Sequence, residues 1–136
     1  MADWNTKMIE EFRAKGGMGL THPFGDRILL LTTTGAKTGR TLTAPVVYHL
    51  DGDRYVIAAS KGGAPKHPGW YHNLVKHREA AVEVGTEKFK VHATPIPSGP
   101  ERDRLYATHA KLMPGFRDYE TRTKRIIPVI VLERTD

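Results

Sequence analysis

The first segment of the chain carries apolar residues at helical spacing. Trp4, Met8, Ile9 and Phe12 fall on one face of a helix predicted over residues 3–15, and two glycines then end it. Such a face is typical of a helix that packs on the body of the protein. Its alternative uses are contact with lipid or a place at the entrance of a substrate site.

Beyond this helix, short β-branched runs separated by turn residues predict an antiparallel β-structure. Asp51-Gly52-Asp53 is a strong hairpin signal, and Gly85-Thr86 predicts a second hairpin. The predicted strands are Arg27 to Thr33, Thr41 to Leu50, Arg54 to Ser60, Ala80 to Val84, Lys88 to Thr94 and Ile126 to Glu133. Pro128 in the last run predicts an edge strand or a bulge.

Helical patterns are inserted late in this β-rich chain. They cover Trp70 to Lys76, a segment up to Leu112 and Phe116 to Lys124. Ser98 and Glu101 predict a capping box at the start of the second of these helices, with Pro100 at its first position. We therefore predict one domain over residues 1–136, mainly β with helices, as a small antiparallel barrel of about six strands. The N-terminal helix, within residues 1–20, is appended to it.

Composition narrows the chemistry that this domain can perform. The 136 residues include no Cys, which excludes disulfides, thiol catalysis and Cys-ligated metal centres. The N-terminal residues lack the apolar core of a signal peptide, and no apolar run approaches the ~20 residues that cross a bilayer. We therefore expect a cytoplasmic protein, with peripheral membrane contact through the N-terminal helix as an alternative.

The net charge of +6 comes entirely from the middle of the chain. Residues 27–78 hold two acids and eight basic residues: Arg27, Lys37, Arg40, Arg54, Lys61, Lys66, Lys76 and Arg78. The same stretch contains two glycine-rich turns. Cations beside open backbone amides predict a site for a polyanion.

The first of these turns is Thr34-Gly35-Ala36-Lys37-Thr38-Gly39, followed by Arg40. Its glycines permit a tight turn and a close approach of a ligand to the backbone. Lys37 and Arg40 lie where a phosphate or carboxylate would dock. The turn lacks the spacing of a P-loop, and an ordinary hairpin turn with solvated cations is the alternative.

The second turn, Ala58-Ala59-Ser60-Lys61-Gly62-Gly63, follows a predicted strand. Its small residues leave room for a flat group against the backbone. Ser60 adds a hydroxyl and Lys61 a cation. A loop that is small only because it is a loop remains the alternative.

Two further segments carry candidate chemistry. The helix that begins at Pro68-Gly69-Trp70 directs free N–H groups at the preceding loop, which suits an anion. The three histidines of this region recur every five residues without a nearby carboxylate, so we expect no metal site. Near the end of the chain, Met113, Phe116 and Tyr119 flank a helix break, where a tyrosine hydroxyl can donate to a developing oxyanion.

Five motifs in this order resemble the deazaflavin-dependent nitroreductase family of actinobacteria. They read "LLLTTTGAKTGR", "AASKGG", "PGWYHNL", "FRDY" and "RIIPVIV" and cover roughly residues 27–134. The resemblance implies a split β-barrel of the FMN-binding kind and an oxidoreductase that uses coenzyme F420. The tail of this coenzyme, with a phosphodiester and several glutamates, is a polyanion of the kind that the charge pattern predicts.

The resemblance also implies site residues. The expected cofactor-binding residues are Lys37, Thr38, Arg40, Thr43, Ala44, Pro45, Ala58, Ala59, Ser60, Lys61, Gly69, Trp70, Tyr71, His72 and Asn73. The expected substrate-binding residues are Trp4, Val47, Met113, Phe116 and Tyr119. Leu42 stands where the best-known member of the family has an arginine, and Val47, Met113 and Phe116 stand where it has tyrosines.

The hypothesis that follows is hydride transfer from reduced F420 to a planar, electron-poor acceptor such as a quinone, an activated enone or a nitroaromatic. Tyr119 would donate a hydrogen bond or proton to the acceptor, and Ser60 would bond near the reacting edge of the ring. Three alternatives remain: an FMN- or haem-binding split barrel, a non-catalytic deazaflavin carrier and a nucleic-acid-binding module. The last is disfavoured because no RRM or cold-shock pattern is present. A monomer and a homodimer are both compatible with the sequence.

Overall fold

The computed structural model describes residues 4–20 and 27–135, with the side chain of Trp4 left out. In this part of the chain, six strands and four helices alternate with short turns. The elements are α1 (Trp4–Lys15), β1 (Ile28–Thr34), β2 (Thr41–Asp51), β3 (Arg54–Ala58), a 3₁₀ turn (Lys61–Gly63), α2 (Gly69–Lys76), β4 (Glu79–Val84), β5 (Glu87–Ile96), α3 (Pro100–Leu112), α4 (Gly115–Thr121) and β6 (Val129–Arg134).

The strands form a closed antiparallel barrel in the order β1-β2-β3-β6-β5-β4. The longest ladder joins β1 to β2, from Ile28 opposite Val47 to Thr34 opposite Thr41. The barrel closes where β1 also pairs with β4, with Leu31 opposite Val82. The mainly β barrel predicted from the sequence is therefore confirmed.

Side chains that alternate along the strands divide between the barrel interior and the helices outside it. Buried residues from several strands fill the interior, among them Leu31, Ile57 and Ile130. A second cluster, with Val56 and Val131, seals the outer face of β3 and β6 under α3 and α4. The two helices thereby cover the outer face of β3 and β6.

Helix α1 packs on the barrel. Met8 and Phe12 are 4 % and 1 % exposed, and they join Leu20, Ile28 and Leu30 in a third apolar cluster. Burying a side chain such as Phe12 contributes about 1.5–3 kcal/mol, so this face already has a partner within the protein. In the described residues, none of the helices combines the length and the apolar character that crossing a bilayer requires.

Two local predictions are wrong. Pro128 marks neither an edge nor a bulge, because β6 begins one residue later and lies between β3 and β5 in a closed barrel. The Pro128 carbonyl instead accepts a bond from the Ala59 N–H at 2.9 Å. Ser98 does not cap α3, because the capping position is Gly99, which has φ +104° and no side chain to offer.

Candidate active site

An open groove of about 450 Å³ crosses the barrel beside α2 and α4. Strand β2 forms one wall of it, the segment after β3 forms the opposite wall, and α4 covers one end. The lining residues are Asn5, Leu42, Thr43, Ala44, Pro45, Val46, Val47, Ala58, Ser60, Lys61, Pro68, Gly69, Trp70, Phe116 and Tyr119. Several of these side chains are small and most are apolar, which suits a flat ring, so we call this the ring groove.

A second groove of about 510 Å³ continues from the first. The two share the lining residues Leu42 and Gly69, so they adjoin at these positions. The lining residues of the second are Gly35, Ala36, Lys37, Thr38, Arg40, Thr41, Leu42, Gly69, His72 and Asn73. We call this the tail groove.

The charges along both grooves are all of one sign. Lys37 and Arg40 line the tail groove and Lys61 lines the ring groove, whereas none of the described lining residues is acidic. None of these three cations forms an ion pair with a described carboxylate. Arg54, from the same basic stretch, does bond to Asp51, which also accepts from Arg104 at 3.2 Å. Three of the eight predicted cations therefore lie on the grooves.

The β2 wall is built by regular strand pairing. Thr43, which lines the ring groove, has its Oγ1 2.8 Å from the Oγ1 of Thr32 across the β1–β2 ladder. Ala44 and Pro45 follow at positions paired with Leu31 and Leu30. A flat group can lie along this wall because its side chains project little.

The turn above the tail groove is tied to α2 by one amide side chain. The Gly35 N–H donates to the Arg40 carbonyl at 2.7 Å, which closes the turn. Asn73 accepts from the Ala36 N–H at 2.9 Å and donates from Nδ2 to Thr33 Oγ1 at 3.0 Å. Because both ends of its amide are engaged, Asn73 shapes the groove through the protein backbone.

The segment from Ser60 to Ala64, which we call the 60–64 wall, contributes Ser60 and Lys61 to the lining of the ring groove. It contains the 3₁₀ turn, in which the Gly63 N–H donates to the Ser60 carbonyl at 3.0 Å. Lys61 adopts a left-handed conformation at φ +48°, unusual for a residue with a side chain. Gly63, at φ +83°, packs so tightly on α4 that an added Cβ would lie 2.8 Å from the Tyr119 carbonyl oxygen.

Helix α4 places aromatic rings at the end of the ring groove. The Phe116 and Tyr119 rings lie 5.0 Å apart, edge to face. The Tyr106 hydroxyl donates to the Phe116 carbonyl at 2.6 Å, which fixes the start of this helix. Phe116 is 4 % exposed, whereas Tyr119 is only partly buried and accessible from the groove.

Beneath Phe116 lies a buried histidine pair. His49 of β2 and His109 of α3 approach with their Nδ1 atoms 2.7 Å apart, and the His109 ring lies 4.4 Å from that of Phe116. Burial and the neighbouring His49 lower the pKa of His109 to about 3, and burial also lowers the pKa of His49. Both rings are therefore neutral at physiological pH. The described residues contain no cluster of three His, Asp or Glu that would hold a metal ion.

The structure gathers most of the residues that the sequence singled out along these two grooves. Three of them lie elsewhere: Ala59 is fully buried in the barrel core, Tyr71 is 8 % exposed and packs on His67 at 4.7 Å, and Met113 is 2 % exposed in the cluster under α4. The predicted substrate contact of Trp4 concerns a side chain that lies outside the described part of the structure. Asn5 and Val46 line the ring groove without any sequence signal that pointed to them.

Comparisons with known proteins agree with this geometry. Residues 4–134 match the family described as F420H(2)-dependent quinone reductase. An F420H(2)-dependent quinone reductase of Mycobacterium tuberculosis is 43 % identical over 121 residues, which cover 88 % of this chain and 81 % of that protein. A second protein of that organism with the same family name is 32 % identical over 104 residues, covering 76 % of this chain and 87 % of its own.

Solved structures give the same result. An F420H2-dependent reductase is 35 % identical with a TM-score of 0.71, covering 79 % of this chain and 94 % of its own. A structure described as a domain-swapped dimer is 32 % identical with a TM-score of 0.73, covering 94 % and 93 %. The haem-storage protein HutZ of Vibrio cholerae, at 15 % identity and a TM-score of 0.63, shares the fold alone over 94 % and 88 %. The resemblance to deazaflavin-dependent reductases is confirmed, and the chain belongs to the F420H2-dependent quinone reductase family.

Proposed function

We propose that this protein uses reduced coenzyme F420 to reduce a quinone to the hydroquinone. The observation that carries the proposal is the pair of adjoining grooves, a mostly apolar ring groove and a tail groove, lined by cations that form no ion pair with a described carboxylate. A flat ring with a long acidic tail matches that shape and that charge. The family and the 43 % identical relative support the same activity.

The residues present fit the coenzyme at both ends. The ring groove has walls of Ala44, Pro45 and Ala58, which leave room for a planar tricyclic system. In the tail groove, Lys37 and Arg40 offer positive charge to the phosphodiester and glutamates. FMN carries one phosphate and no glutamates, so it brings less negative charge and a shorter tail to these grooves than F420 does.

When bound, F420H2 supplies a hydride from C5 of its deazaflavin ring to the acceptor. The protein supplies position and a proton. Tyr119, on α4 at the end of the ring groove, can hydrogen-bond a quinone oxygen and deliver the proton that accompanies the hydride. Bulk water then reprotonates this partly exposed side chain. Ser60, 7 % exposed on the opposite wall, orients the ring edge through its hydroxyl.

The acceptor side is shaped by apolar groups. Val47 and Phe116 line the ring groove next to Tyr119, and Asn5 reaches its rim from α1. Such walls favour a planar, weakly polar acceptor, which is why a quinone fits better than a charged substrate. Activated enones and nitroaromatics have the same flat, electron-poor character and are secondary candidates.

Two measurements test the proposal. Fluorescence titration of the purified protein should give tight binding of F420 and much weaker binding of FMN and haem. Anaerobic mixing with F420H2 and a simple benzoquinone should then restore the F420 absorbance at a rate proportional to enzyme. Binding without turnover over a panel of quinones and enones would instead identify a carrier of the coenzyme, and failure to bind F420 would refute the proposal.

A homodimer is the assembly we favour. The related structure described as a domain-swapped dimer, at 32 % identity, supports it. Light scattering after size exclusion should give a mass near twice the 15.2 kDa of the chain. A mass equal to one chain at micromolar concentration would contradict it. Membrane contact through α1 is not part of the proposal, because Met8 and Phe12 are buried.

A further inference from the structure

Arg125 connects the segment between α4 and β6 to the 60–64 wall. The three hydrogen bonds of its guanidinium reach residues about sixty positions earlier in the chain. Its Nε donates to the Ala64 carbonyl at 2.9 Å, its Nη2 to the Ser60 carbonyl at 2.7 Å, and its Nη1 to His67 Nδ1 at 3.0 Å. One guanidinium thus spans the whole wall.

No described carboxylate pairs with this cation. Arg102, Arg104 and Arg54 each contact an acid, whereas Arg125 is half-buried among two backbone carbonyls and a neutral imidazole. Burial lowers the pKa of Arg125, but a guanidinium remains protonated at any physiological pH. The arrangement therefore uses the planar fork of arginine to hold a backbone shape.

The backbone held in this way needs such support. Lys61 is left-handed at φ +48°, and this conformation is disfavoured for a residue with a Cβ. Only two short-range bonds lie within the turn, from Gly63 to Ser60 and from Ala64 to Lys61. The carbonyls of Ser60 and Ala64, at the two ends of the turn, are the atoms that Arg125 binds.

We infer that Arg125 is a positioning residue for the reaction: it fixes the 60–64 wall in the shape that presents Ser60 and Lys61 to the ring groove. Arg125 does not itself line either groove. The role of Arg125 in catalysis rests on the proposed function. Its hydrogen bonds to the 60–64 wall are present in the protein without any ligand.

His67 makes this hold sensitive to pH. Its Nδ1 accepts from Arg125, so the bond exists only while the imidazole is neutral and its proton is on Nε2. The charged and titratable groups facing it are Arg125 itself, the His72 ring at 5.8 Å and the Tyr71 ring at 4.7 Å. Protonated His67 would face the guanidinium as a like charge. Burial, together with the charges of Arg125 and His72, lowers the pKa of His67 below its usual value, so the wall should loosen only when the pH falls below the ordinary His range of about 6.5.

The first experiment compares Arg125→Lys and Arg125→Gln with the matched control Lys124→Gln. Lys124 is an exposed neighbour, and its replacement removes the same charge. Hydrogen exchange of the ligand-free protein should show the Gly63 and Ala64 amides exchanging at least about tenfold faster in both Arg125 variants, and unchanged in the control. Fluorescence titration should show F420 affinity reduced roughly 10- to 100-fold in both, because charge-assisted bonds are lost.

The lysine variant separates position from charge. A lysine ammonium keeps the charge but cannot span Ser60, Ala64 and His67 together. If Arg125→Lys matches the wild type in exchange and affinity, the inference is overturned. Equal acceleration of exchange in β1 and β5 would also overturn it, because the change would then be a general loss of stability. Should Arg125→Gln not fold, Arg125→Lys alone decides.

The second experiment uses His67→Gln, whose side-chain carbonyl can accept from Arg125 at every pH. Wild-type affinity for F420 should weaken between pH 7.5 and 5, and this variant should lose less over the same range. Parallel pH profiles would refute the role of His67. If the wild type does not bind F420 at all, the proposed function fails, whereas exchange in the ligand-free protein still tests the hold of Arg125 on the wall.

Discussion

The two walls of the ring groove are built by different means. The β2 wall is a strand whose backbone pairs with β1 along seven positions, from Thr41 to Val47. Its shape follows from the ladder, and its small side chains need only project into the groove. Replacing one of these side chains changes the lining while the backbone stays in place.

The 60–64 wall has no such ladder. β3 ends at Ala58, and the chain then leaves the barrel through a left-handed Lys61 and a 3₁₀ turn. What fixes it is contact with distant parts of the chain, namely α4 behind Gly63 and the guanidinium of Arg125. A regular wall tolerates local change, whereas an irregular wall depends on a few specific contacts.

The largest effect should follow from removing the close contact behind the irregular wall. A Cβ at Gly63 would meet both the Tyr119 carbonyl and the Arg122 Cβ at 2.8 Å, in addition to the cost of φ +83°. We expect Gly63→Ala to lower the free energy of unfolding by about 3 kcal/mol, measured by urea denaturation. Gly52→Ala, with φ +65° but open space, should cost only about 1 kcal/mol. Equal losses would mean that α4 does not support this wall.

Tyr119 tests the chemistry at the end of the groove. Tyr119→Phe removes the hydroxyl and keeps the ring that packs on Phe116. We expect kcat for quinone reduction to fall roughly 100-fold while the Kd for F420 stays unchanged, because the lost bond forms with the acceptor. Tyr55→Phe, which lines neither groove, should leave kcat unaltered. An unchanged kcat for Tyr119→Phe would remove this residue from the proton path.

Lys37 tests whether the tail groove binds the acidic tail of the coenzyme. It lies in the turn that leads into β2. Lys37→Ala should weaken F420 binding roughly 10- to 150-fold with little change in kcat, since one charge-assisted contact is lost. A truncated deazaflavin without phosphate and glutamates should bind wild type and variant alike. Lys76→Ala, an exposed cation outside both grooves, serves as the control. If truncated and full-length coenzyme respond equally to Lys37→Ala, the tail is not bound there.

The smallest expected effect is on stability, through the buried histidine pair that joins β2 to α3. His49 and His109 are buried and neutral, and the pKa of His109 is lowered to about 3. The unfolded chain takes up protons below pH 6.5 and the folded state does not, so stability is complete above that pH and declines as the pH falls. Through His109 alone, the free energy of unfolding should fall by about 2 kcal/mol when the pH is lowered from 7.5 to 5.

Urea denaturation at the two pH values measures this change. His92→Gln, which replaces an exposed histidine beside Glu79, should retain the full pH dependence. Equal wild-type stability at pH 7.5 and 5 would show that the buried pair accepts a proton without cost.

The same contrast between regular and irregular structure decides what the sequence could predict. Alternating β-branched runs and the turns at Asp51-Gly52 and Gly85-Thr86 carry their own structural signal, so the six strands follow from local pattern. The contacts of Arg125 with Ser60 and His67 join residues about sixty positions apart, and no local pattern encodes them. Asn73 was predicted next to the coenzyme, and only the folded chain reveals its bonds to Ala36 and Thr33. The roles of the lining residues toward ring and tail stay predictions.

A substitution where the two grooves meet could select ligands by their length. Gly69 belongs to both, has an ordinary backbone conformation, and an added Cβ there would touch nothing within 4 Å. A side chain at this position would therefore be tolerated by the barrel and would lie where the two grooves meet. A large residue there should leave room for a bare tricyclic ring in one groove and obstruct a ring whose chain of glutamates must extend into the other.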